Sequence, residues 1–279
     1  MIRKARFAGS WYAGDPLVLK QNLKEFFLIG PGAIPQRKKD IGYNVIGIVS
    51  PHAGHIYSGW IAAYGYFDAK QTKDPETVFL IGPDHYGAAN YPISIYNEGA
   101  WETPLGNLPI DETEANRLLD LLKIPPDPEG HILEHSLEIQ TPFIKFLWED
   151  TKIVPIIMAD QSFGNSIRLA EALKQIFVPE KHLIIASSDF SHYISANEAK
   201  RKDMAVIELI INKKPKEAYE QIIKTKTTLC GYGPILSLVN LTKTFDNSEI
   251  VLLKYGNSGD VTGDYTQVVA YASISSRLK

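Results

Sequence analysis

The chain has little of what fixes a fold covalently or anchors it in a bilayer. Its one cysteine is Cys230, and a single thiol excludes an internal disulfide framework. No apolar run in the sequence approaches the roughly 18 residues needed to span a membrane. The opening "MIRKARFAGSWYAGD" begins basic but lacks an apolar stretch of signal-peptide length. The expected compartment is therefore the cytoplasm, with no membrane partner. Charge of one sign is also missing. The chain carries 29 basic and 32 acidic residues for a net charge of -3, so no nucleic-acid partner is expected. There is no Ser/Gly linker, no low-complexity tract and no solenoid-period repeat. No GxGxxG, Walker, HExxH or CxxC motif is present, which removes support for nucleotide and zinc-finger readings. What remains is an ordinary globular composition, 44% hydrophobic and 22% charged over 279 residues, enough for a sizeable core.

Strand-like and helix-like stretches alternate along most of this length. Val45–Val49, Val78–Ile81, Lys152–Ile157 and His182–Ala186 are short apolar runs of strand composition. Tyr91–Tyr96 is strand-like but carries a proline, which places it near an edge. Helices are predicted over Ile61–Phe67, Asp111–Leu122, Ser162–Phe177, Asn197–Ile211, Lys216–Lys224 and Gly233–Lys243. Asp111 suits an N-cap, and Pro234 falls in a first turn. His135–Trp148 reads as a further amphipathic segment. The runs "EIVLLKY" and "TQVVAYASI" predict a closing antiparallel hairpin, and Gly30–Asp40 a loop. The expectation is one α/β domain over residues 1–279. It is layered, with a mixed, mostly parallel central sheet flanked by helices.

Three of the strands share an unusual ending. Val45–Val49 runs into Ser-Pro-His, Val78–Ile81 into Gly-Pro-Asp-His, and Leu183–Ala186 into Ser-Ser-Asp-Phe-Ser-His. Of seven histidines in the chain, His52, His85 and His192 are delivered in this way. Ligands of open α/β sheets bind beyond the carboxyl ends of the strands. Three imidazoles at that edge are the material of a metal or acid/base site. Each alone also fits a satisfied loop histidine; the shared placement favours a common site. Cys230, in "TTLCGYGP", lies just before a predicted helix, whose dipole favours a thiolate. It equally fits a small buried hydrophobe. Asp189, three residues before His192, suits an orienting carboxylate, a ligand or a turn cap. In "EHSLE", Glu134, His135 and Glu138 offer pocket-lining groups, with helix capping as the competing role for Glu138. Trp11 and Tyr12, beside glycines, either plug the core or floor a pocket.

Seven ordered motifs carry a resemblance: "AGSWY" (8–12), "SPHAGHIYSG" (50–59), "IGPDHYG" (81–87), "EHSLEIQTPF" (134–143), "SSDFSHY" (187–193), "LCGYGPI" (229–235) and "GNSGDVTGD" (256–264). Together they resemble the Memo family, also called AmmeMemoRadiSam system protein B in bacteria and archaea. That family is similar in fold to the class III extradiol dioxygenases, non-heme iron enzymes that open catechol rings. The resemblance implies His52, His85 and Cys230 as metal ligands and His192 as the base, with Asp189 beside it. Trp11 and His135 are expected on the substrate side. Implied with these are a divalent metal, iron first and copper or zinc as alternatives, and a small-molecule or peptide ligand. A radical SAM protein and an AMMECR1-like protein are the implied partners. The chain departs from the pattern at Asp84, Tyr86 and Thr141, and Asp84 thereby enters as a competing ligand.

Three functions follow as expectations. The first is a metal-binding redox protein of dioxygenase type. The second is a metal-independent hydrolase using Cys230, His192 and Asp189 as nucleophile, base and orienter. The third is a non-catalytic binding scaffold.

Overall fold

A computed structural model describes residues 1–38 and 41–279. The last two residues of the predicted loop, Lys39 and Asp40, lie outside the described residues. In chain order the elements are β1 (Ile2–Arg3), α1 (Pro16–Ile29), β2 (Asn44–Ser50), α2 (His55–Thr72), β3 (Thr77–Pro83), β4 (Ile93–Ile95), β5 (Ala100–Trp101), β6 (Leu108–Pro109), α3 (Glu112–Leu122), α4 (Thr141–Leu147), β7 (Lys152–Met158), α5 (Phe163–Ile176), β8 (His182–Ser187), β9 (His192–Ile194), α6 (Ala196–Ile211), α7 (Pro215–Thr225), α8 (Tyr232–Thr242), β10 (Ser248–Asn257), α9 (Gly259–Thr262) and β11 (Val268–Leu278).

The main sheet runs β10-β11-β2-β8-β3-β7-β4, with β9 paired to β11. Its centre, β2, β8, β3 and β7, is parallel. These strands are buried throughout on both faces apart from the first residues of β2 and β7, which explains their unbroken apolar runs. Antiparallel strands close both sides, β11 and β10 at one and β4 at the other. Helices cover both faces. A Cβ on Gly47 would strike Leu238 of α8, whereas its neighbour Ile48 faces Gly65 of α2. Successive β2 residues therefore address opposite helical layers.

Most predicted strands and helices recur with small boundary changes, and Asp111 caps α3 by accepting from the Glu114 amide. Three elements differ more. The predicted helix Ile61–Phe67 is only the middle of α2, which runs from His55 to Thr72. Residues 135–137 are not helical; a single 3-10 turn at Glu138–Gln140 precedes the short α4. Helix α1 has no counterpart in the predicted elements. Asp15 caps it, Pro16 opens it, and Leu19, Leu23 and Phe27 form its buried stripe.

Glu138 does not cap a helix. Its carboxylate accepts from Arg3 Nη1 at 2.6 Å, the Phe7 amide at 2.8 Å and the Tyr12 hydroxyl at 2.8 Å. Arg3 also donates to the carbonyls of His131 and Glu134 and lies 4.3 Å over the Trp101 ring. This buried pair ties the N-terminal segment, which carries Trp11, to the loop that carries Glu134 and His135. Removing one partner of a buried ion pair strands the other charge, a cost of about 3–5 kcal/mol. Arg3→Met is expected to lower unfolding stability by about that amount, measured by urea denaturation at neutral pH.

Buried histidines set the acid limit. His55 donates through Nε2 to the Ile139 carbonyl at 2.9 Å and packs among Tyr12, Phe26 and Phe143. Burial pushes its pKa down to about 4. Between that value and the unfolded value of about 6.5, the unfolded chain binds more protons, so stability falls as pH drops through this window. Unfolding stability measured at pH 7 and pH 5 should differ less in His55→Gln than in the unsubstituted protein, by about 2 kcal/mol at ~1.4 kcal/mol per pKa unit. An unchanged pH slope would remove His55 as a source of acid sensitivity.

Candidate metal centre

The parallel centre of the sheet delivers the site. Ser50 ends β2, Pro83 ends β3 and Ser187 ends β8; His52 and His85 follow one turn later. A Cβ on Gly231 would strike the Ser187 carbonyl, so a glycine there lets the Cys230 loop close onto the end of β8. Gly82 plays the same part for Glu134 and His135, because a Cβ there would come within 2.5 Å of Ser136 Oγ.

One donor atom each from His52, His85 and Cys230 lies within 4.8 Å of the other two. His52 Nε2 is 3.2 Å from Cys230 Sγ, and the two imidazoles meet edge to face with centroids 5.1 Å apart. Hydrogen bonding assigns the ring protons. The Ser187 hydroxyl donates to the Ser136 carbonyl at 2.7 Å and accepts from Gln140 Nε2 at 2.9 Å. Its single proton is spent, so it accepts from His52 Nδ1 at 2.9 Å. His85 Nδ1 lies 2.8 Å from Glu134 Oε1, and His192 Nδ1 lies 2.8 Å from the Thr228 carbonyl. Both acceptors carry no proton. In its neutral form each of the three rings thus holds the proton on Nδ1 and presents a lone pair on Nε2.

His52 is almost fully buried. Burial, then the neighbouring His85, His135 and His192, push its pKa well down, which keeps it neutral and able to ligate. Burial pulls Glu134 upward, but the hydrogen bond and charge of His85 hold it down to about 2. His135 stacks on His85 at 4.4 Å and on Trp11 at 4.5 Å, and burial pushes it down to about 4. Trp11, His135 and Tyr86 therefore stand as aromatic walls on the histidine cluster.

Three sequence-based roles change. Asp189 makes no hydrogen bond to His192 among the described residues. Its Oδ1 accepts from the His52 amide at 2.8 Å and the Ala53 amide at 3.3 Å, so it fixes the His52 turn. Thr228, not singled out from the sequence, orients His192 through both its carbonyl and its hydroxyl, the latter accepting from the His192 amide at 2.7 Å. Asp84 accepts from the amides of Tyr86, Ala88 and Ala89 and caps its own loop rather than competing as a ligand. The dipole expected to favour a Cys230 thiolate is also outweighed. Burial and then the Asp189 carboxylate push the thiol up, against the Asp189 amide that donates to Sγ at 3.2 Å. Ser187 and Gln140 had no signal of their own in the sequence, since both read as ordinary polar residues at element ends.

An α/β/α layered sheet with two imidazoles and a thiol beyond its strand ends defines an α/β protein with a candidate metal pocket. A family model described as Memo-like protein matches residues 3–275. A MEMO1 family protein of Thermotoga petrophila is 40% identical over 278 residues, covering 98% of this chain and 99% of that protein. Another from Methanobrevibacter smithii is 36% identical over 279 residues, with 98% and 99% covered. The crystal structure of uncharacterized protein JW3007 from Escherichia coli K12 is similar with a TM-score of 0.57 at 12% identity, over 84% of this chain and 100% of that chain. At that identity the likeness concerns the fold alone. The chain belongs to the Memo family.

In the metal-free protein, iodoacetamide should label Cys230 more slowly at pH 7.5 than it labels the urea-unfolded chain, by at least tenfold. Partial burial and a raised thiol pKa both act in that direction. Equal rates would mean an exposed, activated thiol and would contradict the packing described here.

Proposed function

We propose that this Memo-family chain binds one divalent metal ion through His52 Nε2, His85 Nε2 and Cys230 Sγ and acts as a non-heme oxidoreductase on a small aromatic or diol substrate. The carrying observation is the convergence of one donor atom from each of these three residues within 4.8 Å, with the Nδ1 of each imidazole engaged elsewhere and its Nε2 left to the site. Two imidazoles and one soft anion suit iron(II) first, with copper or zinc as alternatives. When bound, iron supplies a redox-active Lewis acid with positions open to substrate and dioxygen.

The chain's own groups supply the rest. His192, its Nδ1–H held by Thr228, offers Nε2 as the base that takes a proton from a substrate hydroxyl. Trp11 and His135, packed against each other, present one aromatic wall to the substrate side. Asp189 fixes the His52 turn and, through its amide, the Cys230 sulfur. The hydrolase arrangement finds less support, because Cys230 pairs with His52 while His192 and Asp189 turn to other partners. Family membership extends the proposal to a cytoplasmic protein working with a radical SAM protein and an AMMECR1-like protein. No helix among the described residues is long and apolar enough to cross a membrane.

Elemental analysis of anaerobically purified protein tests the first part. The unsubstituted chain should carry about one metal ion, His52→Ala, His85→Ala and Cys230→Ser should lose most of it, and His192→Ala should keep it. Equal metal content in all five proteins would reject the site. Oxygen uptake by the iron-loaded protein with a panel of catechols tests the second part, and His192→Ala should abolish it. No uptake with intact iron and intact Cys230 would reject dioxygenase chemistry and leave metal binding or scaffolding.

A further inference from the structure

A second group of donors adjoins the first: His85, Glu134 and His135 also place one ligand atom each within 4.8 Å of one another. Such a group admits two readings. Either it holds a second metal ion, with His85 shared, or Glu134 serves His85 and holds no metal. The hydrogen bonds separate them.

Glu134 is almost fully buried, and three N–H groups of the protein donate to its carboxylate. Oε1 accepts from His85 Nδ1 at 2.8 Å and from the Ser136 amide at 2.8 Å. Oε2 accepts from the His85 amide at 2.7 Å. The same carboxylate therefore grips the backbone and the ring of one residue. Holding a second ion between these groups would require His85 to give up its Nδ1 proton and Glu134 to turn away from the amides it holds. Leaving an amide without its acceptor inside the protein is unfavourable. The grip also has a purpose in the first group. A carboxylate on Nδ1–H fixes the tautomer and the ring angle and makes Nε2 a stronger donor. His85 needs this more than His52. Its side chain is 28% exposed, whereas His52 is walled in.

We infer that Glu134 is a positioning residue: it locks His85 as the Nδ1–H tautomer so that Nε2 faces His52 and Cys230, and it ligates no second ion. The inference rests on the metal reading above for its purpose, but not for its geometry. Ser187 does the equivalent work for His52 with a neutral hydroxyl, so the two imidazoles are backed independently.

Two measurements test this. In metal-free protein labelled with 15N-histidine, long-range 1H–15N spectra should show His85 protonated on Nδ1, with His85→Gln giving the assignment. Glu134→Gln cannot satisfy three N–H donors, because one end of its amide is itself a donor. Zinc titration against a competing chelator should then show affinity lower by about 10–100-fold at an unchanged one-ion stoichiometry. The His52 tautomer should stay as it was, which a general loss of structure would not permit. An Nε2–H tautomer for His85 in the unsubstituted protein would overturn the inference, and this result does not depend on the variant folding. Two zinc ions per chain falling to one in Glu134→Gln, or an unchanged affinity, would overturn it as well. If the unsubstituted chain binds no zinc, the metal reading fails while the tautomer still decides the role of Glu134.

Discussion

The site depends on where three protons sit. An imidazole has one acceptor nitrogen when neutral, and the protein chooses which by supplying a partner for the other. Here the partners are a hydroxyl, a carboxylate and a backbone carbonyl, on Ser187, Glu134 and Thr228. None lies on the same element as the ring it serves. Ser187 ends β8 and serves the histidine after β2; Glu134 precedes α4 and serves the histidine after β3; Thr228 precedes α8 and serves the first residue of β9. The lone pairs therefore converge only once the parallel strands have paired and the loops have closed over their ends. The buried Arg3–Glu138 pair extends the same dependence to the N-terminus, since it holds Trp11 and the Glu134 loop in one unit.

The sulfur shows how a site can be assembled before its charge arrives. A helix start favours a thiolate in water-exposed surroundings, which is why the sequence points to a reactive cysteine. Inside the protein that effect is smaller than desolvation, and the Asp189 carboxylate adds in the same direction. The thiol proton has a natural acceptor in the free lone pair of His52 at 3.2 Å. Without a cation the pair is thus a neutral thiol beside a neutral imidazole, which a buried pocket tolerates. A cation at the same point would replace that proton and remove the reason for the thiol to stay protonated.

Much of the fold is legible because its strands are buried on both faces and so appear as unbroken apolar runs, as Val45–Val49 and Leu183–Ala186 do. The histidines are legible for a related reason: a run that stops at Ser-Pro-His or Gly-Pro-Asp-His announces a strand end. Helix α1 carries usable signals in Asp15, Pro16 and the spacing of Leu19, Leu23 and Phe27, yet no strand-to-histidine ending draws the reading toward it. The partners of the imidazoles are another matter. Asp189 lies three residues from His192 and reads as its orienter, but its carboxylate turns to the His52 turn, 137 positions away in the chain. Glu138 reads as a cap and instead meets Arg3 across 135 positions. A hydrogen bond of that span leaves no local pattern, so sequence spacing favours the near partner and the fold selects the far one.

Charge balance joins these observations. Burying a divalent cation is costly unless anions and oriented dipoles surround it. The proposed ligands contribute one negative charge, on Cys230 once its proton is displaced. The second lies one bond-path further out, on Glu134, whose ionised state the His85 contact maintains. A carboxylate placed there neutralises the ion without occupying a coordination position. The same charge placed on the metal directly would close one of the positions a substrate needs. Backing His85 with an anion and His52 with a neutral hydroxyl also makes the two imidazoles unequal donors. The stronger one is the more exposed one, where a ligand has most need of help to stay in place. The arrangement reconciles a resting pocket of neutral ligand side chains with a proposed divalent occupant that meets two negative charges and keeps an open face toward Trp11 and His192.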